Sequence, residues 1–192
     1  DKVWLKERMA VAREEYEKVW MNKAHPFWHQ VHHGLSRYYD INVLHDLAEA
    51  ESGWDMTTRF ERKCLDYLPI DLNCLLYKYE TDFAWADREL GKDKDAKHWD
   101  GLAGRRKHEI NKYMWHKRRG FYFDYNYQKD QRGDTWSLAG FFPLWAGLAS
   151  PEQAEQMVNN LSKFEHSGGL ATTSRPLLDM SIFGSLKTQW AF

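Results

Sequence analysis

The stretch Asp71–Leu90, DLNCLLYKYETDFAWADREL, decides the fold class. Leu72, Leu76, Tyr79, Phe83, Ala86 and Leu90 recur at spacings of three and four, which lines up one face of a helix. Pro69 stands just before this helix and Gly91 just after it, as start and stop signals require. The same period continues on both sides. From Val3 to Met21 the stripe is Leu5, Met9, Ala12, Tyr16 and Val19; from Asp95 to Trp115 a weaker one runs through Ala96, Trp99, Ala103, Ile110 and Met114. Ser150-Pro151-Glu152-Gln153 carries the signature of a capping box and opens a further helix. Its buried face is expected to be Ala154, Met157, Leu161 and Phe164, with Gly168-Gly169 as its stop. Ser137–Leu148 reads as a short apolar helix broken or started near Pro143, and Leu44–Glu51 as one or two helical turns. Only Gly120–Tyr127 alternates like a strand or hairpin arm. With no linker or low-complexity tract, residues 1–192 are expected to lie in a single all-α domain built as an array of helical hairpins.

Composition narrows the partners. With 27 basic and 28 acidic residues the net charge is -1, so no global field exists to hold a polyanion and nucleic acid is not an expected partner. The basic runs Arg105-Arg106-Lys107 and Lys117-Arg118-Arg119 read as solvated helix faces or ends in preference to phosphate-binding patches. No apolar run approaches about 18 residues, so no membrane-spanning helix is expected. Cys64 and Cys74 lie in apolar stretches without a CxxC and read as buried free thiols. Aromatic residues are the unusual feature. Ten Trp, ten Tyr and ten Phe are present, with Trp well above ordinary usage; core packing alone can use them, and flat apolar faces beside polar edges suit sugar binding equally.

Glu51-Ser52-Gly53-Trp54-Asp55 is the main candidate site. A short carboxylate follows an indole and two small residues. That set suits glycoside hydrolysis, where a carboxyl group must reach the glycosidic oxygen and backbone must approach the sugar closely. The plainer alternative is that Asp55 caps a helix beginning at Met56-Thr57-Thr58. His25, His29, His32 and His33 include pairs spaced like metal ligands, but Pro26 and Gly34 interrupt a regular helix there. Histidines lining a polar cleft are the preferred reading, and no metal is assigned. Asp124-Tyr125-Asn126 fits a sugar cleft or a surface hairpin equally well. No GxSxG surrounds a serine, and Gly168–Thr173 lacks the lysine of a phosphate loop.

In order, several segments resemble those of family 37 glycoside hydrolases, the trehalases. They are Gly34-Leu35-Ser36-Arg37-Tyr38, Glu51–Asp55 with Met56-Thr57-Thr58-Arg59-Phe60, Pro69-Ile70-Asp71-Leu72-Asn73, and Phe123-Asp124-Tyr125-Asn126. Pro143-Leu144-Trp145, Gly168–Thr173 and Gln189-Trp190 complete the series. The resemblance implies an (α/α)6 barrel, of which this chain supplies roughly the middle half, and inverting hydrolysis of an α-glucosidic bond without a cofactor. It carries the general-acid role onto Asp55 and a substrate contact onto the backbone of Gly53, with Trp54 beside them as a further substrate-binding residue.

The sequence departs from the family pattern in places. The catalytic-base Glu belongs to a motif beyond Phe192, an N-terminal motif would precede Asp1, and Ala191 stands where the family has Asp. The interval from Arg37 to Asp55 is short and lacks an Arg-Pro-Glu-Ser element that helps hold the second glucose; Arg37 is the candidate to replace it. The expected partners are a small disaccharide and the remaining part of the barrel, without which the chain is expected to be inactive and to associate. Sister barrels that act on glucosylglycerate, mannosylglycerate or an α-glucosyl oligosaccharide, and a non-catalytic helical sugar-binding module, are the competing readings. The compartment is not legible.

Overall fold

The structure is a computed structural model, and it describes residues 1–22, 30–55 and 57–174. Six α-helices are present among them: α1 (Lys2–Tyr16), α2 (His45–Ser52), α3 (Ile70–Glu89), α4 (Asp93–Tyr113), α5 (Phe142–Trp145) and α6 (Pro151–Val158). Nine strands of two or three residues tie the joints between helices. These are β1 (Gln30–His32), β2 (Leu35–Ser36), β3 (Tyr67–Leu68), β4 (Trp115–His116), β5 (Phe121–Tyr122), β6 (Tyr125–Asn126), β7 (Gln131–Arg132), β8 (Glu165–His166) and β9 (Gly169–Leu170). They form three antiparallel pairs, β1–β2, β4–β5 and β8–β9, and a three-stranded sheet in the order β3-β6-β7.

The backbone of the fold is the hairpin of α3 and α4. Gly91 takes a left-handed φ of 73° between them, and the Lys92 amide donates to the Asp87 carbonyl at 2.8 Å, which closes α3 in a Schellman turn. The apolar stripes face inward largely as the periodicity requires. Leu72, Leu76, Phe83 and Ala86 on α3, and Ala96, Trp99, Ala103 and Ile110 on α4, are buried. Tyr79 is the exception in the α3 stripe and is exposed. α3 is packed on more than one side, so Asp71, Asn73, Glu80 and Asp87 are buried with its apolar face.

Buried polar groups join the helices. The Tyr16 hydroxyl donates to Glu80, and Arg106 donates to Glu80 through Nε at 2.9 Å and to the Tyr16 oxygen through Nη2 at 3.2 Å. One ion pair with a tyrosine thus links α1, α3 and α4. Arg106 is therefore neither part of a solvated face nor part of a phosphate patch; its carboxylate partner on α3 draws it inward. Asn73 works similarly. Its side chain accepts the Ser36 amide at 2.8 Å and donates to the carbonyls of Ser36 and Pro69, which pins β2 to the start of α3.

Elsewhere the expectations are partly replaced. α1 ends at Tyr16 and its last turn, Glu17–Met21, is a π-helix. The capping box at Ser150 forms as predicted, but α6 stops at Val158. A 3-10 turn, Leu161–Phe164, follows, and Gly169 belongs to the β8–β9 hairpin instead of ending a long helix. Ser137–Leu148 divides into a 3-10 turn, Leu138–Phe141, and α5. Gly120–Tyr127 is extended but does not form one hairpin arm: β5 pairs with β4, whereas β6 pairs with β3 and β7. Cys64 and Cys74 are buried free thiols. No helix among the described residues is long and apolar enough to cross a membrane.

Candidate functional site

The segment around Asp55 is held from both ends. α2 ends at Ser52, and Gly53 caps it with φ 71° and ψ 6°, a left-handed turn that redirects the chain. The Ser52 hydroxyl donates to the Glu49 carbonyl at 2.6 Å and accepts the Trp54 amide at 3.0 Å. Beyond Asp55, the Thr57 hydroxyl donates to the Trp54 carbonyl at 2.8 Å and accepts the Arg59 amide at 3.3 Å. No helix starts after Asp55; residues 57–62 are bends and turns, so the capping alternative for Asp55 does not apply. Asp55 is exposed.

Behind the loop lies a buried ion network. The Arg59 side chain is fully enclosed, and its guanidinium forks to two carboxylates. Nε and Nη2 donate to Asp124 at 2.7 Å each, while Nη2 and Nη1 donate to Asp71 at 2.6 and 3.1 Å. The Trp54 indole N–H donates to Asp71 at 2.7 Å, and its ring lies 5.0 Å from the guanidinium carbon. The Tyr38 hydroxyl adds a bond to Asp71 at 3.1 Å. Asp124 accepts the Ile70 amide at 2.9 Å and so serves the start of α3, whose own N-cap, Pro69, offers no side-chain acceptor.

The pairing of β3 with β6 delivers Asp124 to that helix end, and the link from Asn73 to Ser36 delivers Tyr38. Asp124 therefore lines neither a surface hairpin nor an open cleft. One cation and two carboxylates leave the cluster with a net charge of -1. Burial pushes the Asp71 carboxyl up, but the guanidinium of Arg59 outweighs it and holds the group below the usual carboxylate range.

Glu49 is a titratable group whose charge interacts with that of Asp55 and that the sequence did not single out. It is buried in the last turn of α2. Burial first, and then the charge of Asp46, push its carboxyl up to about 7; the Thr57 amide offsets part of this, and Asp55 adds to it.

Gly53, Trp54 and Asp55 are thus brought together with Arg59, Asp71, Asp124, Tyr38 and Glu49. Arg37 is adjacent in sequence to Tyr38, but its Nη1 donates to the Leu65 carbonyl at 3.1 Å, which commits part of the guanidinium to the backbone. His25, His29, Gln189 and Trp190 lie outside the described residues. His32 and His33 sit against each other and against Tyr113, with ring centroids 4.5 Å apart in the histidine pair, and His32 also lies 5.6 Å from the Tyr125 ring. Among the described residues, no group of three or more His, Cys, Asp or Glu side chains is placed to hold a metal. Arg59 and Asp71 stood in quoted motifs, yet nothing in their spacing signalled a buried fork, because its third member is 53 residues beyond Asp71.

Comparison with known proteins places this geometry in context. A family model described as Trehalase matches residues 5–192. The chain is 42% identical over 154 residues to a cytosolic neutral trehalase of Kluyveromyces lactis, which covers 74% of this chain and 20% of that protein. It is 42% identical over 165 residues to a cytosolic neutral trehalase of Saccharomyces cerevisiae, covering 80% and 22%. Among solved structures, the neutral trehalase Nth1 from Saccharomyces cerevisiae superposes with a TM-score of 0.76 at 32% identity, over 88% of this chain and 40% of that one. A GH63 mannosylglycerate hydrolase from Thermus thermophilus matches at a TM-score of 0.51 and 17% identity, a likeness of fold alone. The chain spans about a fifth of the length of these curated relatives, and its fold is part of an (α/α)6 helical barrel.

Proposed function

Because this chain belongs to the trehalase family, we propose that it is the acid-bearing part of an inverting glycosidase that hydrolyses the α,α-1,1 bond of trehalose. Asp55 is the general acid. Its proton passes to the bridging oxygen as the bond from that oxygen to the anomeric carbon breaks. A water attacks the same carbon from the opposite face and gives its proton to a glutamate in the remainder of the barrel. In this geometry the two carboxyls stand about 6.5–9.5 Å apart so that the water fits.

The observation that carries this reading is the mounting of the loop. Asp55 is exposed, yet the residue before it is anchored through its indole to a fully buried ion network. A general acid gains from this arrangement because its reach to the oxygen must be fixed before the sugar arrives. The indole N–H and one ring face of Trp54 are already engaged, so we assign Trp54 chiefly to holding this loop. Gly53 offers an open approach: a Cβ placed there would meet nothing within 4 Å, which suits a sugar hydroxyl against the backbone. Arg37 keeps its assignment to the second glucose, through the part of its guanidinium not bound to Leu65. Exposed apolar side chains such as Trp4, Trp85 and Trp145 are assigned to contact with the remainder of the barrel.

The test is hydrolysis by the complete protein, with trehalose, glucosylglycerate and mannosylglycerate offered in parallel. Trehalose is expected to be the preferred substrate. Proton NMR should show one β-glucose and one α-glucose appearing per turnover, because only the attacked carbon inverts. Preference for another substrate, or formation of α-glucose alone, would overturn the proposal.

A further inference from the structure

Tyr38 has no part in the chemistry above, yet its hydroxyl reaches the oxygen from which the acid loop hangs. Oδ2 of Asp71, in the first turn of α3, accepts three donors: the Trp54 indole N–H at 2.7 Å, the Tyr38 hydroxyl at 3.1 Å and Nη1 of Arg59 at 3.1 Å. Nη2 of Arg59 takes the other oxygen of Asp71 at 2.6 Å, so the carboxylate is fixed at both ends. Two of the donors to Oδ2 stand next in sequence to groups assigned above. Trp54 precedes Asp55, and Tyr38 follows Arg37. Burial first, and then the charge of Asp71, push the Tyr38 hydroxyl above the ordinary phenol range, so it stays a donor. Ahead of Tyr38 the chain is pinned through Ser36 to Asn73, which also lies at the start of α3.

We propose that Tyr38 is a positioning residue whose hydroxyl, bonded to Asp71 Oδ2, locks Arg37 at a fixed spacing from Asp55. This rests on the assignments of Asp55 as the general acid and of Arg37 to the second glucose. The second glucose is the leaving group, and the bridging oxygen it carries away takes the proton. The acid therefore acts only when the group that holds this glucose stands in register with it. Two links in series set that register, Tyr38 to Asp71 and Trp54 to Asp71, and loss of either one breaks it. The Tyr38 ring packs against two apolar clusters, one containing Leu72 and Leu76 and the other Phe60 and Leu65, so Tyr38→Phe keeps the packing and removes only the bond.

The experiment compares Tyr38→Phe, Trp54→Phe and the double variant in the complete protein, on trehalose and on α-glucosyl fluoride. The fluoride has no second glucose, and its leaving group departs without needing a proton. Tyr38→Phe is expected to lower kcat/KM on trehalose by roughly 10-fold, within the range that small misplacements of a reacting group produce, and to hydrolyse the fluoride within about twofold of wild type. Trp54→Phe is expected to lower kcat/KM on trehalose at least as much. Because the links are in series, the double variant should fall within about threefold of Trp54→Phe alone. Wild-type turnover of trehalose by Tyr38→Phe, equal losses on both substrates, or losses that multiply in the double variant would each overturn the lock. If Trp54→Phe does not fold, the contrast between substrates in Tyr38→Phe still decides. Arg37→Ala and Asp55→Asn separate the levels. Wild-type turnover of trehalose in either removes the assignment beneath the lock and the lock with it, whereas losses in both beside an unaffected Tyr38→Phe remove the lock alone.

Discussion

Replacing Arg59 is the most searching test of how the site is held. The guanidinium makes four hydrogen bonds to two carboxylates, Asp71 at 2% exposure and Asp124 at 6%. Arg59→Met keeps most of the volume but leaves two buried anions without their shared cation. Breaking a single buried pair costs about 3–5 kcal/mol, and here one cation serves two acids, so the upper end, roughly 5 kcal/mol, is expected. The remaining donors moderate the loss: Trp54 and Tyr38 still reach Asp71, and Ile70 still reaches Asp124. Arg59→Lys keeps the charge, but a point-like ammonium cannot reproduce the fork. With charged hydrogen bonds contributing about 1.5–3 kcal/mol each and one or two lost, a loss between about 1.5 and about 6 kcal/mol is expected. Denaturant unfolding of the complete protein measures these differences; where unfolding is irreversible, the inactivation half-life at fixed temperature does so. Arg59→Lys should also lower kcat under conditions where it stays folded, because Trp54 hangs from Asp71. An Arg59→Met protein within about 1 kcal/mol of wild type would refute the view that this network supports the loop.

Two further outcomes follow from burial and sterics. Glu49 holds its proton more tightly when folded, to about 7 against an ordinary 4.5, among Asp46 on its own helix, Asp55 and Arg59 on the loop, and Cys64 beside it. The sign is that of a raised acid. The neutral form is favoured by folding, so the full contribution is present below about 4.5 and is lost as pH rises through about 7, an upper bound of about 3 kcal/mol. The stability of Glu49→Gln relative to wild type should therefore rise as pH rises from about 4.5 to about 7 and level off above that, and a pH-independent difference in melting temperature would contradict this. Gly140→Ala would place a Cβ 2.2 Å from a ring carbon of buried Phe121 and 2.7 Å from the Tyr122 carbonyl oxygen. A loss of about 3 kcal/mol is expected. Gly104→Ala on α4, where a Cβ meets nothing within 4 Å, should be stabilising by up to about 1 kcal/mol; similar melting temperatures for the two variants would refute the packing described.

The long helices were legible because their apolar residues repeat with the helical period and their ends carry local signals. The Pro69–Gly91 bracket and the Ser150 capping box were both readable for that reason. Barrel closure was not legible in the periodicity; it came from the order of motifs. Stretches whose structure depends on distant partners were misread. Strands of two residues are too short to alternate, and Gly168-Gly169 turns a hairpin whose pairing, not its composition, defines it. At the site, the Gly53-Trp54-Asp55 unit stood out as sequence. Its support did not, because Arg59, Asp71 and Asp124 meet only after β3 and β6 pair, and a buried arginine looks on paper like any solvated one. Glu49 was hidden among Asp46, Glu49 and Glu51, three acids of which only one faces inward.

The central claim is that Asp55 donates the proton. Asp55→Asn in the complete protein, with trehalose turnover and trehalose binding measured on the same preparation, tests it directly. Loss of turnover by about 100-fold or more with binding and melting temperature retained is the predicted result. Turnover close to wild type would contradict it.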